Sequence, residues 1–213
     1  MLSETDLTEN IYTIFLAGEG TTAYTLAWML YYLQKHPAVF SLARADADAA
    51  VGSDHVPASY EQLNQSNFMD ACINESLRLS PVAPFIGSEA NFDMQLADVS
   101  VPKGTLIFLL PRIGSVDKRN FLHAAKFLAE RWLEAVRLES NREIAIPFGS
   151  GPRLCPGRFL AMEEMNMALP MLVKNFDIAR IGTTEGKDIQ ERLRFRMAPD
   201  GLRFRLLRRA NGA

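Results

Sequence analysis

The sequence predicts a mainly α-helical fold carrying small antiparallel β-sheets, and three observations predict it. Long stretches of helical pattern are cut by Pro37, Pro81 and Pro84. Period-two alternation appears within residues 85–110, and a second alternating run surrounds Pro199-Asp200-Gly201. With 213 residues, 48% hydrophobic and 23% charged, the chain has the material for one domain with a real core, and it carries no Pro/Gly-rich tract that would argue for disorder.

Taken in order, Thr5 or Thr8 with nearby acidic residues opens a first long helix, which His36-Pro37 ends near Lys35. Inside it, residues 11–33 hold a single charge over 23 positions, the length of a membrane span. That charge, Glu19, sits in mid-segment, where a carboxylate costs about 2.5–3.5 kcal/mol on insertion scales. A buried helix of a soluble protein is therefore the expectation. Pro37 suits the first turn of a second helix to about residue 50, and residues 51–59 read as a loop. A third helix covers residues 66–80, stopped by Pro81 and Pro84.

Short antiparallel strands follow within residues 85–110, with a turn at Pro102-Lys103-Gly104. The chain is then irregular to Pro147, with short helical pieces. A fourth long helix is expected from Pro156 to about Asn175, its apolar residues mostly on one side, and Pro170 should kink it or mark a boundary. The tail reads as a hairpin about Pro199-Asp200-Gly201. Its seven arginines from Arg192 to Arg209 read as the wet face of a two-stranded ribbon.

Composition excludes several classes of function. The 23 basic and 25 acidic residues leave a net charge of −2, so there is no broad cationic field for nucleic acid. His36, His55 and His123 show no metal-ligand spacing. Only Cys72 and Cys155 are present, too few for a disulfide framework, which favours a reducing compartment and a cytoplasmic location. The opening residues lack the features of a signal peptide. A membrane-anchored form stays open, because an anchor would precede Met1.

Chemistry concentrates in residues 147–157. Glycines 149, 151 and 157 with prolines 147, 152 and 156 rule out regular structure and specify a tight, stiff loop. The loop delivers Cys155 to the start of a helix, with Pro156 at the first helical position. Free backbone N–H groups and the positive helix end favour thiolate there, and Arg153 adds a nearby cation. These features prepare a sulfur ligand for an electron-poor metal.

This segment resembles the cysteine-ligand loop of cytochromes P-450, Phe-x-x-Gly-x-Arg-x-Cys-x-Gly, met by Phe148, Gly151, Arg153, Cys155 and Gly157, with Ala161 and Glu164 fitting the continuation. The resemblance implies haem b as cofactor, Cys155 as axial ligand to its iron, Phe148 packed beside the thiolate and Arg153 on a haem propionate. Thiolate donation favours O–O cleavage.

Two further segments extend the resemblance. Glu75 and Arg78 share a helix face; alone they read as a surface ion pair, but upstream of the Cys155 loop they resemble the family's Glu-x-x-Arg motif. The third partner comes from residues 127–132, where Ala129 and Trp132 stand in the family's Phe-x-Pro-Glu-Arg-Phe, and Arg131 is expected to close a buried Glu75–Arg78–Arg131 network. In the first helix, residues 17–22 resemble the oxygen-activating Ala-Gly-x-Asp/Glu-Thr-Thr. Ala17 and Gly18 would let the planar cofactor approach, while Thr21, with Glu19 and Thr22 beside it, would hydrogen-bond dioxygen and guide protons.

Two positions depart from the pattern. Gly20 stands where the acid belongs, with Glu19 one residue early and so rotated by about 100°. Oxygen activation is expected to be impaired or rerouted through water. Ser88 stands where a propionate-binding arginine is common.

The resemblance covers essentially all of residues 1–213 but only the haem-binding C-terminal half of the family's fold, with the N-terminal half absent. It implies a monooxygenase, or its catalytic portion, inserting one atom of O2 into a small apolar organic substrate. Electrons would come from a ferredoxin or flavoprotein reductase, with NAD(P)H acting only through that partner. The alternative is a truncated, non-catalytic haem-binding remnant. Without the missing segment, the apolar faces of the first and fourth helices are expected to lie uncovered.

Overall fold

Ser3, rather than Thr5 or Thr8, starts the first helix. The computed structural model describes residues 3–63, 66–134, 136, 140–183, 189–193 and 196–209. Helix α1 spans Glu4–Lys35. The Ser3 hydroxyl accepts the Asp6 N–H at 3.1 Å while the Asp6 carboxylate accepts the Ser3 N–H at 2.9 Å, a reciprocal cap that satisfies two orphan donors. At the far end the His36 N–H returns to the carbonyls of Tyr32 and Leu33, and Pro37 blocks continuation.

The expectation of a buried first helix holds for half of it. From Gly20 onward α1 buries Thr25, Trp28, Met29, Leu30 and Leu33, whereas residues 3–19 are exposed all round. Ile11, Tyr12, Ile14, Phe15 and Leu16 project outward, each more than half exposed. The helical period continues through them, but no described element covers that turn. No helix among the described residues is long and apolar enough to cross a membrane.

Helices α2 (Pro37–Val51), α3 (Tyr60–Leu63) and α4 (Asn67–Leu79) follow. Asp46 on α2 caps α4 by accepting the Met69 N–H at 3.1 Å; burial pushes its carboxyl above the ordinary aspartate range. The core lies where α1, α2 and α4 meet the helix after the cysteine loop, around Met29, Leu33, Ala43, Met69, Ile73 and Leu169. Cys72 belongs to it, its thiol pushed up by burial.

Strands β1 (Ile86–Glu89) and β4 (Leu106–Leu109) pair antiparallel around the smaller ribbon of β2 (Met94–Leu96) and β3 (Val99–Val101). Helix α5 (Pro111–Ser115) and the 3-10 turns Ala129–Trp132, Arg142–Ile144 and Gly151–Arg153 carry the chain to α6 (Arg158–Asn175). Here expectations for the helix after the loop are corrected. Helix α6 starts at Arg158, not Pro156, because residues 155–157 form a turn in which the Arg158 N–H reaches the Cys155 carbonyl at 3.2 Å. Its apolar residues are not one-sided, since Met165, Leu169 and Val173 are buried while Phe159 is 77% exposed. The helix also runs through Pro170 to Asn175 without a boundary, with Leu169, Pro170 and Val173 buried in the core.

The tail is corrected as well. Gly201 does turn, with φ +65°, but the arms beside it take other partners. Strand β7 (Met197–Asp200) pairs with β6 (Gln190–Leu193), and β8 (Leu202–Arg208) pairs with β5 (Phe176–Thr183). Alternation marks a strand without naming its neighbour, and β5 itself escaped the sequence reading. Arg203 and Arg205 are exposed, Arg196 is tucked inward, Arg209 is half-buried, and Arg194 lies outside the described residues.

Candidate functional site

The loop that presents Cys155 is held by its own backbone. The Cys155 N–H donates to the Phe148 carbonyl at 2.9 Å, Leu154 N–H to Gly151 at 3.1 Å, and Gly149 N–H to Ile146 at 3.0 Å. Gly149 and Gly151 take φ of +76° and +65°, left-handed values that side chains resist, which explains glycine at both. A Cβ on Gly157 would lie 3.9 Å from the Cys155 sulfur, so that position is open to ordinary contact. The sulfur is half-buried and unpaired with Cys72. Phe148 packs against the core, with the Arg158 guanidinium 6.0 Å from its ring centre. Arg153 is exposed. Leu154, Phe159 and Leu160 stand exposed around the loop.

Behind the loop lies the charge cluster of α4. The Glu75 carboxylate is fully buried and accepts five hydrogen bonds. Arg78 donates through Nε and Nη2 at 2.8 Å each, Arg131 through Nε at 3.0 Å, the Leu128 N–H at 2.9 Å and Trp132 Nε1 at 2.9 Å. The two guanidiniums then turn outward to main-chain carbonyls. Arg78 reaches those of Ser115 (2.5 Å), Ala124 (2.8 Å) and Lys126 (3.1 Å). Arg131 reaches Leu122 at 3.1 Å and the Ser140 hydroxyl at 2.9 Å. Both lie over the buried Phe121 ring, at 4.9 and 5.7 Å from its centre. Glu75, Arg78 and Arg131, named from sequence, are thus brought together in the structure. From sequence Trp132 has only a place in the motif, without a role in the cluster, and Phe121 is not named at all. The signal for Trp132 was available: an indole supplies an N–H donor that the phenylalanine of the pattern lacks.

The α1 residues are arranged differently. Thr21 Oγ1 donates back to the Ala17 carbonyl at 3.1 Å, and Thr25 to that of Thr21 at 2.9 Å. Ala17, Gly18 and Glu19 are exposed, Thr21 and Thr22 half-buried, and Gly20 buried. Glu19 approaches Arg196 at 3.8 Å. Arg196 was not singled out from sequence; it also donates to the Leu16 carbonyl. Ser88 is exposed on β1, opposite Ile107.

Comparison with known proteins gives these arrangements a context. The family model for cytochrome P-450 matches residues 1–206. A Caenorhabditis elegans cytochrome P-450 is 38% identical over 181 residues, covering 82% of this chain and 34% of that protein. The mitochondrial 1,25-dihydroxyvitamin D(3) 24-hydroxylase of Mus musculus is 32% identical, covering 83% of this chain and 34% of its own. Cytochrome P-450 3A13 of Mus musculus is 30% identical, with 86% and 36% covered. The chain therefore spans about a third of the length of these curated relatives.

Proposed function

The chain belongs to the cytochrome P-450 family, and from that premise we propose that residues 1–213 form the haem-binding C-terminal part of a monooxygenase whose N-terminal half is not in this chain. The observation that carries the proposal is Cys155, a half-buried unpaired sulfur on a backbone-locked bend.

The residues present fit a haem. One soft donor stands alone on its loop, and the described residues contain no cluster of three or more histidine, cysteine or acidic side chains that would hold a different metal. Exposed Leu154, Phe159 and Leu160 supply apolar surface for a flat macrocycle. When bound through a thiolate, haem supplies the power to activate O2. In this reading Cys155 would supply the sulfur that holds the haem iron, and Gly151 and Gly157 would let the loop come close. Phe148 would shield the sulfur, Arg153 would hold a propionate, and the Glu75–Arg78–Arg131 cluster fixes the loop-rich segment behind. Ala17 and Gly18 present a low helix surface, while Thr21, with Glu19 and Thr22 nearby, would order water for proton delivery. The substrate is a small apolar organic molecule and the electrons come from a ferredoxin or flavoprotein reductase. The uncovered apolar residues of α1 between Leu7 and Leu16 support the view that the N-terminal half packs there.

A second reading, a haem-binding protein without turnover, is favoured by one observation: at position 20, where the family pattern has an acid, glycine stands with the end of the Arg196 side chain over it. Turnover with a surrogate peroxide separates the two readings. The haem reading itself is tested by the absorption spectrum of the reduced, carbon-monoxide-bound chain. A sulfur-type band is expected in the wild type and is lost in Cys155→Ala. Retention of both haem uptake and that band in the substituted chain would overturn the proposal.

A further inference from the structure

Gly20 and Arg196 are 176 residues apart in sequence and meet on α1. Arg196, immediately before β7, donates to the Leu16 carbonyl and lies 3.8 Å from the Glu19 carboxylate. Its side chain is only 14% exposed, although Glu19 is 65% exposed, so the guanidinium is tucked against the helix rather than waving in solvent. A Cβ built on Gly20 would fall on Arg196 Nη1, with Cζ at 3.3 Å and the Tyr24 ring at 3.4 Å. A Cβ on Gly18, half a turn away, would meet nothing within 4 Å. The Gly20 backbone is not left-handed, so conformation does not demand glycine there. Space does.

The backbone that delivers Arg196 is itself anchored. The next residue, Met197, donates its N–H to the Val82 carbonyl at 2.9 Å. On the neighbouring strand β6, Glu191 pairs with Arg112 and accepts the Ser80 hydroxyl at 3.4 Å. That anchoring fixes where the Arg196 side chain starts, and what holds its end over position 20 is the bond to the Leu16 carbonyl and the approach to Glu19, both weakened if it moves aside.

We infer that Arg196 is a positioning residue for residues 16–21 of α1. Its guanidinium takes the volume that an acidic side chain at position 20 would occupy, holds the Leu16 carbonyl and draws Glu19 toward itself. Glycine at 20 and arginine at 196 are then one matched feature rather than two departures. The purpose assigned to this turn rests on the haem-thiolate reading above; the fit between the two residues does not.

A double-substitution cycle on the full chain tests it. Alanine is the better residue in a helix interior, so Gly20→Ala at an unobstructed site would raise Tm by about 2–4 °C in a chain of this size. With Arg196 present the substitution lowers Tm, and in the Arg196→Ala background it raises it. Hydrogen exchange gives the local readout. Arg196→Ala speeds exchange of the amides of residues 16–21 severalfold, Arg196→Lys recovers part of the protection, and Arg119→Ala leaves it unchanged. An equal rise in Tm in both backgrounds, or unaltered exchange in Arg196→Ala, overturns the inference. A chain that lacks the sulfur-type spectrum yet keeps the sign reversal defeats the haem reading alone and leaves the pairing in place.

Discussion

Two clusters in this molecule have the same composition, one carboxylate between two cations, and opposite surroundings. Glu75 lies between Arg78 and Arg131 with all three side chains at 0% exposure. Asp48 lies between Lys174 and Arg209, itself 36% exposed, beside an open cleft of about 440 Å³. Glu75 accepts five hydrogen bonds, two of them from neutral donors, the Leu128 N–H and the Trp132 indole. Among the described residues, the Asp48 carboxylate accepts from its two cations alone. The difference teaches that a charge cluster is worth what its surroundings make it. Out of water, removing any member strands the others; at the rim, water replaces whatever is lost.

The largest expected effect breaks the buried cluster. Glu75→Gln keeps the shape but removes the charge that two buried guanidiniums share, and it is expected to cost about 3–5 kcal/mol. The urea unfolding midpoint would read this directly, and a shift no larger than that of a surface substitution would erase the contrast between the clusters. Next comes Trp132→Phe, which keeps the apolar ring and deletes one donor to a charged acceptor at 2.9 Å. An expected loss of about 1.5–3 kcal/mol, seen in the same denaturation curves, would show that the neutral donors matter alongside the arginines. The smallest effect belongs to Asp48→Asn, below about 1 kcal/mol.

Titration sharpens the last case. Burial works against the Asp48 charge, but the hydrogen bonds and charges of Arg209 and Lys174 together outweigh it and hold the carboxyl below the ordinary aspartate range. Because the folded value is the lower one, the contribution is present above the unfolded value, near pH 3.9, and lost as pH falls through the folded one. Thermal unfolding between about pH 5 and 2 is expected to converge for wild type and Asp48→Asn at the acid end. Parallel curves throughout would mean the Asp48 pairing contributes nothing.

Much of this was legible in the sequence wherever the signal was local. Pro37 and Pro81 set helix limits to within a residue or two, and α4 runs close to the span its pattern gave. The glycines and prolines of residues 147–157 specify their bend because backbone freedom is a property of single residues. Failures came where partners are distant. The alternation of residues 202–208 identified a strand but not its pairing with Phe176–Thr183, and nothing near Gly20 in sequence announces Arg196. Pro156 was assigned to a helix that begins two residues later, since a turn and a helix start look alike when glycine and proline adjoin.

The arginines of the buried cluster hold their surroundings almost entirely by main-chain oxygen. Ser115, Leu122, Ala124 and Lys126 are gripped at carbonyls, a group every residue type owns. Such a clamp is indifferent to spelling: the identities along this stretch are free to drift in evolution while the path of the chain stays put, provided the few side chains that do the gripping are retained.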